Sequence, residues 1–302
     1  MKNNLLYLSL LSFLLISTSA LSLSNNLTSF VSIIYSKPKV KTYSPIPVLK
    51  DGVKYPILSS QSVMAVDLVS GVTLYEKDSN KALLPASTTK IVTALVALDS
   101  YELNQVLKVG AVKVEGQKMG LVSGEEIMFS DLLSGLLIYS ANDAAEVLAS
   151  NYPGGRELFI DLMNKKVKDL GLTNTHFGNP TGLDNGEQYT TTRDLIVVSK
   201  YAMKNPIFAE LVGTKEKVVK SVDGRFIHRL ININKLLGKV EGVTGVKTGW
   251  TENARENLVT EVNRDGKKIM IVVLGSSDRF GETTELINWI YGNYIWEEVK
   301  PT

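Results

Sequence analysis

Strand-like sequence lies at both ends of this chain and helix-like sequence fills its middle, so any sheet it builds must join strands far apart along the chain. Near the N-terminal end, Ser62–Asp67 and Thr73–Glu76 read as strands. Ser70-Gly71 connects them, and glycine suits a turn that needs positive φ. After Pro85, residues Ile91, Leu95 and Leu98 recur at helical spacing. From about Tyr101 to Asn205 the pattern stays mostly helical, with helices expected over Asp131–Ile138, Ala144–Ser150, Arg156–Leu170 and Thr192–Met203. Strand character returns over Lys217–Val222, Phe226–Leu230, Val243–Lys247, Asn257–Val262 and Lys268–Leu274. Asp265-Gly266 marks a hairpin between the last two. A helix over Glu282–Tyr294 closes the pattern, with Leu286, Ile287 and Ile290 at core spacing. The expected fold class is α/β (α+β). One antiparallel sheet comes from both termini, helices flank it, and a mostly helical subdomain is inserted. No internal repeat is visible.

At 302 residues and 44% hydrophobic content, the chain can bury a substantial core. A formal charge of +2 leaves no electrostatic footprint for nucleic acid. The absence of cysteine excludes disulfides, thiolate zinc sites and an acylated N-terminal cysteine. Lys2, the apolar run Leu5–Ile16 and the small residues Thr18-Ser19-Ala20 follow the order of a secretory signal. The run is shorter than the ~18 apolar residues expected of a spanning helix. Cleavage is therefore the first reading, and an uncleaved anchor extending to Leu23, tethering the protein to the membrane, is the second. Either way the remainder is exported. Residues 21–58 carry Ser, Asn, Lys and the prolines Pro38, Pro45 and Pro47, and read as an extended linker. The expected organisation is a signal over 1–20, this linker, a catalytic domain over 59–294 and a short tail over 295–302.

Three short segments carry chemistry: Ser87-Thr88-Thr89-Lys90, Ser140-Ala141-Asn142 and Lys247-Thr248-Gly249. Ser87 and Lys90 stand three apart near a helix start, so their side chains share one face. A serine hydroxyl needs a base to take its proton. Lys90 can serve only when neutral, which requires burial or a nearby cation such as Lys247. Ser140 and Asn142 fall in a loop between Leu136-Leu137-Ile138 and the helix opened by Asp143. Lys247-Thr248-Gly249 fits an edge strand, where a glycine leaves room for an extended peptide and Lys247 and Thr248 can meet a carboxylate. Each segment has a bland reading of its own: Ser87 as a helix cap, a Ser-x-Asn turn, a surface lysine. The ordered combination overrides these. A phosphate-loop reading of Gly242–Thr248 fails, because Val246 rather than glycine precedes the lysine. His176 and His228 belong to neither a nucleophile elbow nor a metal-binding helix and read as structural. No metal site or cofactor motif is visible.

Around these segments the chain resembles the serine-type D-alanyl-D-alanine carboxypeptidases, the low-molecular-mass penicillin-binding proteins. The resemblance runs from about Ser59 to Tyr294. It includes Pro85-Ala86-Ser87-Thr88-Thr89-Lys90, Ser140-Ala141-Asn142-Asp143-Ala144-Ala145, Asn179-Pro180-Thr181-Gly182-Leu183-Asp184 and Gly245-Val246-Lys247-Thr248-Gly249-Trp250-Thr251. It implies a β-lactamase/transpeptidase-like fold with Ser87, Lys90 and Ser140 as catalytic residues, Ser140 relaying protons to the leaving amine. Asn142, Lys247, Thr248, Gly249, Trp250 and Arg279 are implied as substrate-binding residues. Asn142 would hold the substrate amide, the backbone N–H groups of Ser87 and Trp250 the oxyanion, and Arg279 the terminal carboxylate. The implied partners are peptidoglycan stem peptides and β-lactam antibiotics as covalent inhibitors. Two features depart from the family pattern: Arg255 stands where a glycine usually follows the Lys-Thr-Gly strand, and no β-rich domain or C-terminal amphipathic anchor is visible. The leading activity is removal of terminal D-alanine from stem pentapeptides. A D,D-endopeptidase shares all three segments, and a non-catalytic penicillin-fold binding protein is opposed by the intact Ser87, Lys90, Ser140 and Lys247. A class A β-lactamase is disfavoured because no Glu-x-x-Leu-Asn segment follows Asn142.

Overall fold

The structure, a computed structural model, describes residues 44–298 apart from 112, 185 and 186. The expected signal over 1–20 and most of the linker lie outside the described residues. In chain order the elements are β1 (Ile46–Leu49), β2 (Ser62–Asp67), β3 (Thr73–Lys77), a 3₁₀ turn (Ala86–Thr89), α1 (Lys90–Ser100), β4 (Val106–Lys108), β5 (Glu126–Met128) and α2 (Phe129–Ile138). Next come α3 (Asn142–Asn151), α4 (Gly155–Asp169), α5 (Thr192–Ala202), α6 (Pro206–Gly213), β6 (Glu216–Lys220) and β7 (Ile227–Ile231). The C-terminal part supplies β8 (Val243–Thr251), β9 (Arg255–Arg264), β10 (Lys267–Ser276), α7 (Arg279–Asn293) and β11 (Tyr294–Glu297).

The main sheet has the order β3-β2-β10-β9-β8, with every pairing antiparallel. Strands from both ends of the chain therefore meet at the β2–β10 pair, as the pattern of the sequence predicts. Alternation along β10 shows why its run is apolar throughout. Ile269, Ile271 and Val273 join Val63, Ala65 and the α7 residues Leu286, Ile287 and Ile290 in one core. Met270, Val272 and Leu274 face the larger core with Met64, Val66 and the helical block. A central strand buried on both faces has no polar side to show. Helix α1 is likewise enclosed, with Lys90 through Ala97 all buried.

The structure revises the sequence reading in three places. Among the described residues, strands β6 and β7 pair only with each other, so they form a separate hairpin and not part of the main sheet. Their alternating burial exposes one face, while Val219 and Leu230 on the other join the larger core with the helical block. Within the expected linker, Ile46–Leu49 forms β1 and pairs with β11, which extends the folded region past Tyr294 to Glu297. Pro47 is tolerated because this ribbon has only two strands and both are edges. Finally, Arg255 keeps the β8–β9 connection tight despite not being glycine, by adopting a left-handed φ of 58°. That conformation costs an L-residue about 1–2 kcal/mol. Because Arg255 is exposed, Arg255→Gly is expected to raise stability by about 1 kcal/mol net of unfolded-state entropy, or roughly 2–4 °C in Tm. A thermal melt in which the variant unfolds at a lower temperature would contradict this account.

Candidate active site

Ser87 sits in the 3₁₀ turn that leads into α1, a turn closed by Thr88, whose hydroxyl donates to the Pro85 carbonyl at 2.7 Å. Ala86 takes φ 46° there, which lifts the serine out of regular helix. Ser87 caps nothing. Its Oγ lies 2.8 Å from Lys90 Nζ, as the three-residue spacing predicts. Three long-range contacts fix this turn. Asn257 on β9 donates through Nδ2 to the carbonyls of Leu84 at 2.9 Å and Pro85 at 3.1 Å, and its Oδ1 accepts from Gly275 N–H. Gly182 packs so closely that a Cβ there would sit 1.9 Å from the Ala86 oxygen. Gly249 on β8 faces the turn directly, since its Cβ would lie 3.1 Å from Ser87 N and 3.2 Å from the Pro85 oxygen. The missing side chain of Gly249 thus makes room for the serine's own turn, not for an incoming peptide.

Lys90 is fully buried and has three partners: Ser87 Oγ, Asn142 Oδ1 at 2.7 Å and the Thr181 carbonyl at 2.7 Å. Burial first, and the Lys247 charge second, push its pKa well below the usual lysine range. A neutral amine has two N–H groups and one lone pair. The amide oxygen and the carbonyl can only accept, so they take both N–H groups, and the lone pair is left for the Ser87 hydroxyl. Neutral Lys90 is then aimed at the proton it must remove.

Ser140 lies between α2 and α3 at φ 60°. Its Oγ accepts from Lys247 Nζ at 2.7 Å, and Lys247 also donates to the Thr248 carbonyl at 3.1 Å. Lys247 is 2% exposed, and burial, then the nearby Arg279 charge, lower its pKa to about 7. Asn142 opens α3 and spends its amide nitrogen on the Glu115 carbonyl at 2.7 Å. Arg279, the first residue of α7, donates from Nη1 to the Gly249 carbonyl at 2.7 Å. The helix starts there because Asp278 caps it, accepting from Gly281 N–H at 2.9 Å. Thr248 Oγ1 and Arg279 Nε are both buried with no hydrogen-bond partner among the described residues.

Together these groups line a cleft of about 650 Å³. Ser87, Ser140, Asn142, Thr248, Gly249, Trp250 and Arg279 all reach its wall, while Lys90 and Lys247 lie beneath. All nine residues expected from the sequence therefore converge. The two histidines lie elsewhere: His228 bonds the Met119 carbonyl and Glu125, and His176 pairs through its backbone with Tyr189. Among the described residues no group of His, Asp and Glu is arranged to hold a metal ion. Sequence reasoning did not find the supporting residues Glu115 and Asn257, and it quotes Thr181 within a segment without giving it a role. Asn179 carried a usable signal. Its Oδ1 accepts from Thr181 N–H, Thr181 Oγ1 and Gly182 N–H, the Asx-turn chemistry that Asn-Pro-Thr-Gly encodes.

Comparison with known proteins places this geometry in context. A family model, that of the D-alanyl-D-alanine carboxypeptidases, matches residues 50–278. The chain is 34% identical over 246 residues to the D-alanyl-D-alanine carboxypeptidase DacF of Bacillus subtilis, covering 78% of this chain and 63% of that protein. It is 35% identical over 240 residues to the D-alanyl-D-alanine carboxypeptidase DacB2 of Mycobacterium tuberculosis, covering 76% and 81%. Among solved structures, a Streptomyces DD-transpeptidase superposes with a TM-score of 0.75 at 33% identity, covering 80% of this chain and 100% of that one.

Proposed function

The chain belongs to the D-alanyl-D-alanine carboxypeptidase family, and from that premise we propose that it is an exported serine D,D-peptidase that removes the terminal D-alanine from peptidoglycan stem pentapeptides. The observation that carries this reading is the set of partners around Lys90 Nζ, two obligate acceptors and one hydroxyl. Neutral Lys90 takes the Ser87 proton as Oγ attacks the penultimate D-alanyl carbonyl. The backbone N–H groups of Ser87 and Trp250 hold the oxyanion. The C–N bond then breaks and the departing D-alanine amine gains a proton through Ser140, which Lys247 contacts. Water completes the cycle by attacking the Ser87 ester. Substrate is oriented at its amide by the second N–H of the Asn142 side chain, the first being held by the Glu115 carbonyl, and at its carboxylate by Lys247, Thr248 and Arg279. β-Lactams, which present a comparable acyl amide, acylate the same serine.

The direct test is release of free D-alanine from a pentapeptide, run beside hydrolysis of a cross-linked dimer. Cleavage of the dimer alone would replace this reading with an endopeptidase. Neither reaction occurring would leave a binding protein.

The unpartnered Arg279 Nε and Thr248 Oγ1 are suited to a free carboxylate. Arg279→Ala is expected to lower kcat/KM for a free-acid D-Ala-D-Ala peptide by about ten- to a hundredfold, the scale of a hydrogen bond to a charged group. The slow reaction of the C-terminal amide should barely change. A carboxylate also favours protonated Lys247, so affinity for the acid, but not the amide, should weaken as pH rises through about 7. Equal losses on both substrates, or parallel pH profiles, would remove the carboxylate role. Export is assigned to residues 1–20, and arginine at both Leu10 and Leu14 is expected to strand the protein in the cytoplasm. Unchanged fractionation would count against it.

A further inference from the structure

Asp143 follows Asn142 in the first turn of α3, is 3% exposed and has no ion-pair partner among the described residues. Burying an unpaired carboxylate is costly unless hydrogen bonds replace its water. Four N–H groups do so here. Ala144 of the same helix donates to Oδ1 at 3.0 Å. The other three belong to a distant stretch: Met119 donates to Oδ1 at 3.0 Å, and Gly120 and Leu121 donate to Oδ2 at 2.9 and 3.1 Å. Successive N–H groups around one anion form a nest, and Gly120 takes a φ of 88° within it. An acid in the first turn of a helix is already favoured by that helix's own N-terminus. Asp143 instead spends most of its capacity on residues 22 to 24 positions earlier.

The stretch held in this way is the one that fixes Asn142. The Gln117 carbonyl receives the Asn142 main-chain N–H at 2.7 Å, and the Glu115 carbonyl receives its Nδ2 at 2.7 Å. Gly116 lies between them at φ 73°, so close that a Cβ would sit 3.0 Å from Nδ2. The other end of the same amide, Oδ1, accepts from Lys90 Nζ. An amide turned end for end would present an N–H to Lys90 in place of an acceptor. That N–H would occupy the lone pair that the Ser87 hydroxyl needs. A carbonyl can only accept, so Glu115 selects the productive orientation of Asn142. The carbonyl stays in place because Asp143 grips the backbone a few residues further along.

Resting on the D,D-peptidase reading above, we infer that Asp143 is a positioning residue for acylation: it holds residues 115–121 against α3, so that Asn142 keeps its oxygen toward Lys90 and the Lys90 lone pair stays on Ser87. Asp143 does not line the cleft and acts through Asn142.

The test is stopped-flow acylation of the full chain by a saturating chromogenic β-lactam across pH. First-order rate constants are compared, since unfolded molecules lower the amplitude and leave the constant unchanged. Asp143→Asn keeps the shape but puts an NH₂ where two of the four N–H groups need an acceptor. It should lower the plateau rate by about ten- to a hundredfold, the scale on which small misplacements around a reacting centre act. In an Asn142→Ala background the same change should cost less than about twofold, because the group it acts through is gone. Charge needs its own control. Burial and Lys247 lower the Lys90 pKa, and the carboxylates of Glu146 and Asp143 oppose them. Losing either carboxylate should therefore move the rising limb to lower pH. Glu146, which bonds Arg156, supplies the control: Glu146→Gln should move the limb and leave the plateau. Gly116→Ala disturbs the Asn142 contact from the other side with every charge intact, and should lower the plateau without moving the limb. It decides the matter if Asp143→Asn does not fold. A wild-type plateau in folded Asp143→Asn or in Gly116→Ala overturns the positioning role. So does an equal loss with and without the Asn142 side chain, or a plateau that falls as far in Glu146→Gln. When the wild type is acylated and releases D-alanine, such a result removes this role alone. When it does neither, the peptidase reading falls and the role with it.

Discussion

Ser87→Ala is expected to abolish covalent labelling by a fluorescent penicillin and to lower D-alanine release by about 10⁴-fold or more, the scale at which a serine peptidase loses its nucleophile. The variant should still fold. Ser87 is only half-buried, caps no helix, and its hydroxyl has one partner, Lys90 Nζ. Lys90 retains Asn142 Oδ1 and the Thr181 carbonyl after the change, so a neutral amine there keeps both acceptors for its N–H groups. The turn itself is held by Thr88, Asn257 and the close approach of Gly182 and Gly249, none of which involves the serine side chain. Intact-mass measurement of the penicillin adduct, followed by peptide mapping, checks the assignment alongside a thermal melt. An adduct on any other residue, or labelling that survives in a folded Ser87→Ala variant, would end it.

The nucleophile was legible because its base is local. Ser87 and Lys90 are three residues apart, and a turn or helix brings such neighbours together whatever the rest of the chain does. The depression of the Lys90 pKa was legible only in outline. Its causes are burial on all sides and the charge of Lys247 on β8, and the completeness of that burial leaves no trace in the local pattern. The same distinction sorts the fold. β10 and its two neighbours, apolar strands with runs of four or more residues buried on both faces, are legible as strands. β4 and β5, at three residues each, are too short for a period to show. Glycines illustrate the limit well. The sequence reads Gly249 as room for an incoming peptide, but the group that fills its empty side comes from Pro85–Ser87, 162 to 164 residues earlier. Arg255 shows the converse, for the backbone kept its left-handed turn although the residue type argued against one.

Lys90→Arg is expected to lower the rate of acylation by penicillin or peptide by about 10²–10⁴-fold, the usual contribution of a general base. Charge at this position is not what the reaction requires. A guanidinium remains protonated at any accessible pH and has no lone pair to offer the Ser87 hydroxyl. Arginine is also larger than lysine in a site with no exposure. Lys90→Met, which preserves volume and has no base either, should therefore be measured beside it and should lose a similar factor. Thermal melts of both variants separate misfolding from lost catalysis. The wild type adds a pH signature. Its acylation rate should follow the neutral fraction of Lys90, rising with pH through that group's lowered pKa and reaching a plateau well below the range of an ordinary lysine. The sign follows from which form reacts, since loss of the proton creates the base. In Lys90→Arg the corresponding limb should be absent. Stopped-flow acylation with a chromogenic β-lactam across that range reads both effects. Near wild-type rates in a folded Lys90→Met, or an unchanged pH limb in Lys90→Arg, would show that another group takes the serine proton.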